Sequence, residues 1–289
     1  MTNYHRWQRK IILESLEEDL GPDGDITTDY IISSEKKQSF ILKAKENLIV
    51  AGLNVFVDVF KIVDKNISVK KFFRDGEEVK KNADVIEILG KVRSILKAER
   101  TALNFVSHLS GIATLTQEMV RLINNTPVIL LDTRKTTPNL RYLEKKAILS
   151  GGAKNHRFNL SEMLLIKDNH IAACGNVKNA ILTARKKCKG KSKRLKLEVE
   201  VSNIKELKEA ILCSPDVIML DNWKIKDLKN AIRLIPKKIL TEASGLITLK
   251  NIREYALSGV NYISTSYMVK NARWMDFSLE VSPSLSRAM

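Results

Sequence analysis

Residues 131 to 170, LDTRKTTPNLRYLEKKAILSGGAKNHRFNLSEMLLIKDNH, gather Asp132, Arg134, Lys135, His156, Arg157, Lys167, Asp168, Asn169 and His170 around short apolar runs. Arg134 and Arg157 can each hold a carboxylate or phosphate through two parallel N–H donors of a planar guanidinium. Lys135 and Lys167 are compact cations suited to diphosphate oxygens. Further along, Glu200 and Asp221 are oxygen donors that could hold a hydrated Mg²⁺, directly or through water, and Glu198 lies one layer deeper on the strand of Glu200. Ser244-Gly245 and the segment from Gly259 to Ser264, Thr265 and Ser266 combine hydroxyls with glycine-permitted backbone N–H groups, the chemistry of a phosphate cradle. The ligand these groups suit is small and carries several negative charges. Each group also has a plainer reading: a solvated arginine, a lysine in a salt bridge to Glu200 or Asp221, or a carboxylate that only neutralises basic neighbours.

The elements that must position these residues favour the functional reading. From about residue 120, apolar runs recur with helical patterns between them: 128–131, 162–166, 196–201, 216–220, 238–240 and 260–264. Strand alternating with helix gives parallel βα units. Helix starts are marked by Thr137 as a cap with Pro138 at the first helical position, and by Asn203 with Glu206 three residues on. Neither a G-x-G-x-x-G nor a Walker lysine motif follows the first strand, which weakens an open nucleotide-binding sheet. Most strands end in a polar or charged residue, and a ring of functional groups at the C-terminal mouth of an α/β barrel accounts for all of them. Asn169 and His170 are read as bracing a strand end, and His5 and His108 as structural.

Residues 37–90 instead hold short alternating segments broken by turns such as Asp75-Gly76, which predicts a smaller sheet domain with antiparallel character. A long helix over 94–122 leads into the barrel, and the tail 268–289, with Trp274, Phe277 and Leu279, returns to the first domain. The reading is an α/β chain: a sandwich domain over 1–115 joined by that tail, and an incomplete TIM-like barrel over 116–267.

Composition sets the outer bounds. A chain of 289 residues, 44% hydrophobic and 28% charged, is long enough for one large α/β domain plus a smaller one. The balance of 49 Lys+Arg against 33 Asp+Glu, formally +16, favours polyanions without choosing among nucleic acid, a membrane surface and a phosphorylated metabolite. Cys174, Cys188 and Cys213 form no C-x-x-C pair, which indicates reduced thiols and a cytoplasmic protein rather than a disulfide framework or zinc knuckle. The sequence shows no export signal and no membrane span. The basic run at 184–194 contains no aromatic residue to stack on bases, so it is read as a solvated helix end and loop rather than a nucleic-acid interface.

Several motifs in order, EDLGPDGDITT, AERTALNFVSHLSGIAT, LDTRKTTP, GGAKNHR, LLIKDNHI, LEVEV, DVIMLDN, EASG and GVNYIS, extend over nearly the whole chain. By these the chain resembles the quinolinate phosphoribosyltransferases. The resemblance implies transfer of phosphoribose from phosphoribosyl diphosphate to the ring nitrogen of quinolinate with Mg²⁺, loss of the 2-carboxylate as CO₂, and release of diphosphate and nicotinate mononucleotide, a step of NAD biosynthesis. It also implies a homodimer whose sites borrow Arg100 from the neighbouring subunit. Arg134, His156, Arg157 and Lys167 correspond to the remaining quinolinate contacts and Lys135 to a diphosphate contact. Glu200 and Asp221 correspond to the pair serving ribose hydroxyls and metal, and Ser244, Gly245, Ser264 and Ser266 to the 5′-phosphate loop. Lys135, Lys167, Glu200 and Asp221 are the expected catalytic set.

Three departures from the family pattern stand out: Asn139 where glycine usually follows TTP, Ala153 within a usual glycine triplet, and Ser264-Thr265-Ser266 in place of Ser-Val-Gly. The last would put a side chain where backbone closely approaches phosphate. Two alternatives are a same-fold relative associated with molybdenum transport, which intact TRKTTP and IKDNH disfavour, and a basic nucleic-acid-binding protein.

Overall fold

The computed structural model describes residues 3–188 and 195–282; the second half of the basic run (189–194) and the last seven residues of the tail lie outside it. The chain divides into two compact units. The first comprises the residues up to Gln117, Thr137–Gly152 and the chain from Asn271; the second comprises Glu118–Thr136 and Ala153–Lys270.

In chain order the elements begin with α1 (Asn3–Leu20), α2 (Ile26–Ile31), β1 (Lys37–Ala44), β2 (Leu48–Ile49), α3 (Leu53–Val63), β3 (Ser68–Lys71), β4 (Glu78–Val79), β5 (Asp84–Lys91) and α4 (Val92–Ile123). They continue with β6 (Ile129–Leu131), α5 (Arg141–Ser150), β7 (Leu164–Ile166), α6 (Asp168–Cys174), α7 (Val177–Cys188), β8 (Leu197–Val201) and α8 (Ile204–Cys213). The last are β9 (Val217–Asp221), α9 (Ile225–Leu234), β10 (Leu240–Ser244), α10 (Ile252–Ala256), β11 (Tyr262–Ser264), α11 (Tyr267–Lys270) and β12 (Phe277–Val281).

The first unit is built on an antiparallel sheet of order β12-β1-β5-β3, so the returning tail supplies an edge strand, with Phe277 opposite Ala44. Ile86 and Ile88, two apart on β5, are buried on one face, as a covered sheet face requires. Leu53, Val55, Phe56, Val59 and Phe60 make α3 one-sided, and Phe56 and Phe60 stack at 5.1 Å; each such ring contributes roughly 1.5–3 kcal/mol when fully buried. The Asp75-Gly76 turn forms as expected: Gly76 has φ 96°, and Asp75 Oδ1 accepts the Leu53 amide at 2.9 Å. Along α4, buried Ile95, Ala98, Ala102, Val106, Leu109 and Ala113 trace a helical stripe.

Two expectations for residues 137–152 are corrected. The helix starts at Arg141, not at Pro138, because Asn139 adopts φ 66°, a left-handed conformation outside the right-handed α region. The segment also belongs to the first unit rather than to the barrel. Fully buried Glu144 explains this: its Oε1 lies 2.9 Å from His108 Nε2 on α4, and its Oε2 accepts the Thr137 amide at 3.0 Å. His108 therefore has a partner, which no spacing rule exposed.

The second unit holds six parallel strands in the order β6-β11-β10-β9-β8-β7. This is the order of a barrel opened between β6 and β7, with β8 and β9 buried along nearly their whole length although β8 carries Glu198 and Glu200. The fifth predicted strand is displaced. A turn in which Ile239 N–H donates to Pro236 O consumes residues 236–239, and the strand is Leu240–Ser244, whose inward Glu242 hides it from an apolar pattern. Asn203 caps α8 as expected, accepting the Glu206 amide at 3.0 Å. The described part of the basic run ends α7, with Arg185, Lys186 and Lys187 in its last turn.

Gly111 on α4 tests the packing of the first unit, since an added Cβ would lie 2.0 Å from the Arg273 carbonyl oxygen. Gly111→Ala is expected to lose roughly 1–3 kcal/mol, measured by urea unfolding.

Candidate active site

Parallel pairing fixes which side chains share the concave face of the second unit. Asp221, Ser244, Ser264 and Leu131 form one row, and Glu200, Met219, Glu242, Tyr262 and Ile129 the row below. Glu198, two residues before Glu200, therefore points to the same face one layer deeper. The open side between β6 and β7 is filled by the segment following Gly152. Lys154 N–H donates to Leu130 O at 2.9 Å and Asp132 N–H to Lys154 O at 3.2 Å, a short parallel bridge on the edge of β6. Buried Asp132 then turns its carboxylate to the His156 amide at 2.7 Å.

That turn sends His156 and Arg157 inward. Arg157 is 8% exposed, and its Nη1 donates to Met163 O at 3.2 Å. Burial, then the nearby charge of Arg134, depresses the Arg157 pKa. Two guanidinium groups are thus brought side by side at the strand ends, a field that an anion would neutralise. Lys167 follows β7 and binds Glu200 Oε2 at 2.6 Å, which is the salt bridge allowed for from sequence. His170 Nδ1 accepts the Lys167 amide at 3.0 Å, so His170 braces this strand end. Lys135 is exposed in the loop after β6, its amide held by Thr133 Oγ1.

His156 occupies a different position from that of a simple contact residue. Its Nε2 lies 3.1 Å from Glu198 Oε2 and 3.6 Å from Glu242 Oε2, and its Nδ1 accepts the Arg157 amide at 2.8 Å. Burial lowers its proton affinity, while hydrogen bonds to Glu198 and Glu242 and their charges outweigh this and raise its pKa to about 9. A second ring proton, however, would sit on Nδ1, where the Arg157 N–H already points. The local geometry therefore holds a single proton on Nε2. Desolvation raises the pKa of Glu198 itself. From sequence, Glu242 groups with Ser244 at a strand end; it lies mid-strand instead, and its closeness to His156 is what the sequence does not give.

The strand-end loops complete the face. Gly245 has φ 98°, and an added Cβ would lie 2.1 Å from Asn222 Oδ1, so only glycine fits there. Asn222 Nδ2 donates to Asp221 Oδ2 at 2.6 Å, which orients that carboxylate. Thr265 is buried, donates to Ile247 O at 2.8 Å and accepts the Tyr267 amide at 3.0 Å. Ser264 is buried beside it, and Ser266 O accepts the amides of Val269 and Lys270. Arg100, on α4 of the first unit, is exposed.

The quinolinate phosphoribosyl transferase N-terminal domain is matched over residues 25–110 and the C-terminal domain over 112–280. The chain belongs to the quinolinate phosphoribosyltransferase family. A Methanocaldococcus jannaschii relative described as a probable carboxylating nicotinate-nucleotide pyrophosphorylase is 43% identical over 94% of this chain and 96% of its own length. Its Bacillus subtilis counterpart is 38% identical over 96% and 94%. Among solved structures, the nicotinate-nucleotide pyrophosphorylase of Francisella tularensis matches with TM-score 0.90 and 38% identity, covering 96% of each chain. The alternatives of a molybdenum-associated relative and a nucleic-acid-binding protein draw no support from these matches.

Seen as a member of this phosphoribosyltransferase family, the chain accommodates its three departures. Asn139 sits at φ 66°, which asparagine tolerates better than other side chains. Neither Ala153 nor Ser266 has a positive φ, so a Cβ at these positions carries no left-handed strain.

Asp132→Ala would orphan the His156 amide. A loss of about 1–3 kcal/mol is expected, with faster hydrogen exchange at residues 155–157 than at β8 in the same sample.

Proposed function

We propose that this chain is a carboxylating nicotinate-nucleotide pyrophosphorylase, joining quinolinate and phosphoribosyl diphosphate to give nicotinate mononucleotide, CO₂ and diphosphate in NAD biosynthesis. The observation that carries the reading is the closeness of Arg134 to buried Arg157, whose charges repel one another. Quinolinate is a dianion, and two guanidinium forks with an ammonium complement its carboxylates. Low exposure at Arg157 strengthens that attraction and orients the ring. Lys135 holds diphosphate oxygens, and Ser244, Gly245, Ser264 and Ser266 hold the 5′-phosphate.

Glu200 and Asp221 bind ribose hydroxyls. They also fit Mg²⁺, because both present hard oxygen donors on one face and Asn222 orients the second. When bound, Mg²⁺ supplies charge neutralisation for the departing diphosphate. The protein's own share is positioning and electrostatics: the cations fix the ring nitrogen against the ribose carbon, and the enclosed face keeps water from the cationic centre. Once ribosylated, the ring is a pyridinium that accepts the electron pair left by CO₂, so no covalent nucleophile is required.

Arg100 is assigned to the site of a neighbouring subunit in a homodimer. A cytoplasmic location fits free Cys174, Cys188 and Cys213; among the described residues no helix is long and apolar enough to cross a membrane.

Purified protein given both substrates should release nicotinate mononucleotide and CO₂ in equal amounts, and only with Mg²⁺; folded protein that releases neither would refute the assignment. Arg157→Ala should lower kcat/KM by 100-fold or more, since losing one desolvated ion contact costs about 3 kcal/mol. Arg100→Ala and Arg157→Ala chains, each inactive alone, should recover part of the activity after subunit exchange. No recovery in proven mixed dimers would remove Arg100 from the shared site.

A further inference from the structure

His156, Glu198 and Glu242 form the one group among the described residues with three metal-type ligand atoms within 4.8 Å of one another. Both carboxylates are 1% exposed, and Glu198 Oε1 and Glu242 Oε1 have no hydrogen-bond partner. A buried cation would be the first reading of such a group. The tautomer of His156 opposes it. A neutral imidazole binds metal through a deprotonated nitrogen and carries its proton on the other. Here Nδ1 already accepts the Arg157 N–H at 2.8 Å, so the proton belongs to Nε2, the nitrogen facing the carboxylates.

What remains is a directed relay of hydrogen bonds. Arg157 N–H donates to His156 Nδ1, and His156 Nε2–H donates to Glu198 at 3.1 Å, backed by Glu242 at 3.6 Å. Glu198 and Glu242 stand on β8 and β10, so the imidazole is anchored to two strands of the sheet. Met163 O fixes the other end of Arg157 through Nη1. A cavity of about 250 Å³ is lined by His156, Arg157, Glu198 and Glu242 together with Lys154 and Lys196.

We infer that Glu198 and Glu242 are positioning residues for quinolinate: by holding His156 as the Nε2–H tautomer they lock the Arg157 backbone and aim its guanidinium. This rests on the function proposed above. It also makes a prediction opposite in sign to simple electrostatics. Two carboxylates that merely lay near the site would repel a dianion, and deleting one would tighten binding. If Glu198 positions Arg157, Glu198→Leu weakens binding because it removes the nearer acceptor of a buried Nε2–H and leaves Glu242 at 3.6 Å, whereas Glu198→Gln keeps an acceptor oxygen and restores most of the affinity.

The test is calorimetric titration of the full chain with quinolinate, together with ¹⁵N spectra of its histidines. Glu198→Leu is expected to raise the quinolinate Kd about tenfold, Glu198→Gln no more than about threefold, and neither to change KM for phosphoribosyl diphosphate by as much as twofold. Wild-type His156 should show a protonated Nε2 and an unprotonated Nδ1. A folded Glu198→Leu protein that binds quinolinate as tightly as wild type, or more tightly, overturns the inference. So does a wild-type His156 with its proton on Nδ1, which would also reopen the cation reading. Wild-type protein that binds no quinolinate counts against the proposed function instead, and the tautomer measurement, which needs neither ligand nor variant, still decides this relay.

Discussion

The second unit is organised around an unclosed edge. Six parallel strands cannot meet around a barrel here, so β6 and β7 each present a row of backbone donors and acceptors to a largely apolar interior, where unpaired groups are costly. The chain answers with residues 153–158. Lys154 pairs with the edge of β6, and the Asp132 carboxylate takes the next free amide. The segment that completes the sheet is also the segment that carries His156 and Arg157. Their inward placement follows from satisfying backbone hydrogen bonds, and the anion-binding face is a by-product of how the barrel is finished.

This economy extends through the neighbouring loops. A strand end must release its chain into a turn, and the turns here are made by residues with side chains or conformations suited to the ligand: Asn222 and Gly245 interlock so closely that only glycine fits at 245, and buried Thr265 ties the end of β11 to Ile247. In the first unit a single buried carboxylate, Glu144, plays a comparable part. It joins α5, the loop before it and α4 through His108 and the Thr137 amide. Buried polar groups of this kind are sustained by full hydrogen bonding and give the fold specificity more than stability.

Charge is distributed by the same logic. Arg157 is buried beside another guanidinium, an arrangement that simple repulsion disfavours. Met163 O accepts from the guanidinium and the charge of Glu198 offsets part of the repulsion. Two neighbouring guanidinium groups of this kind make a field that an anion would neutralise.

Much of this was legible in one dimension. Period-2 and helical patterns gave the antiparallel first sheet, the parallel strands and the returning tail, because those patterns report directly which faces are covered. Motif order gave the family, and residue types near strand ends offered Arg134, Arg157, Lys167, Glu200 and Asp221 as candidates. Two kinds of fact were out of reach. Glu242 reads as a strand-end group although it sits inside its strand, and Glu144 lies mid-helix; for both, the partner, 86 and 36 positions away, shows only in the fold. The tautomer of His156 and the start of α5 at Arg141 depended on one amide direction and one left-handed residue. Sequence determines which groups are available and which faces they share; only tertiary structure decides which lone pair meets which proton, because hydrogen bonds depend on tenths of an ångström between residues that the chain's order keeps far apart.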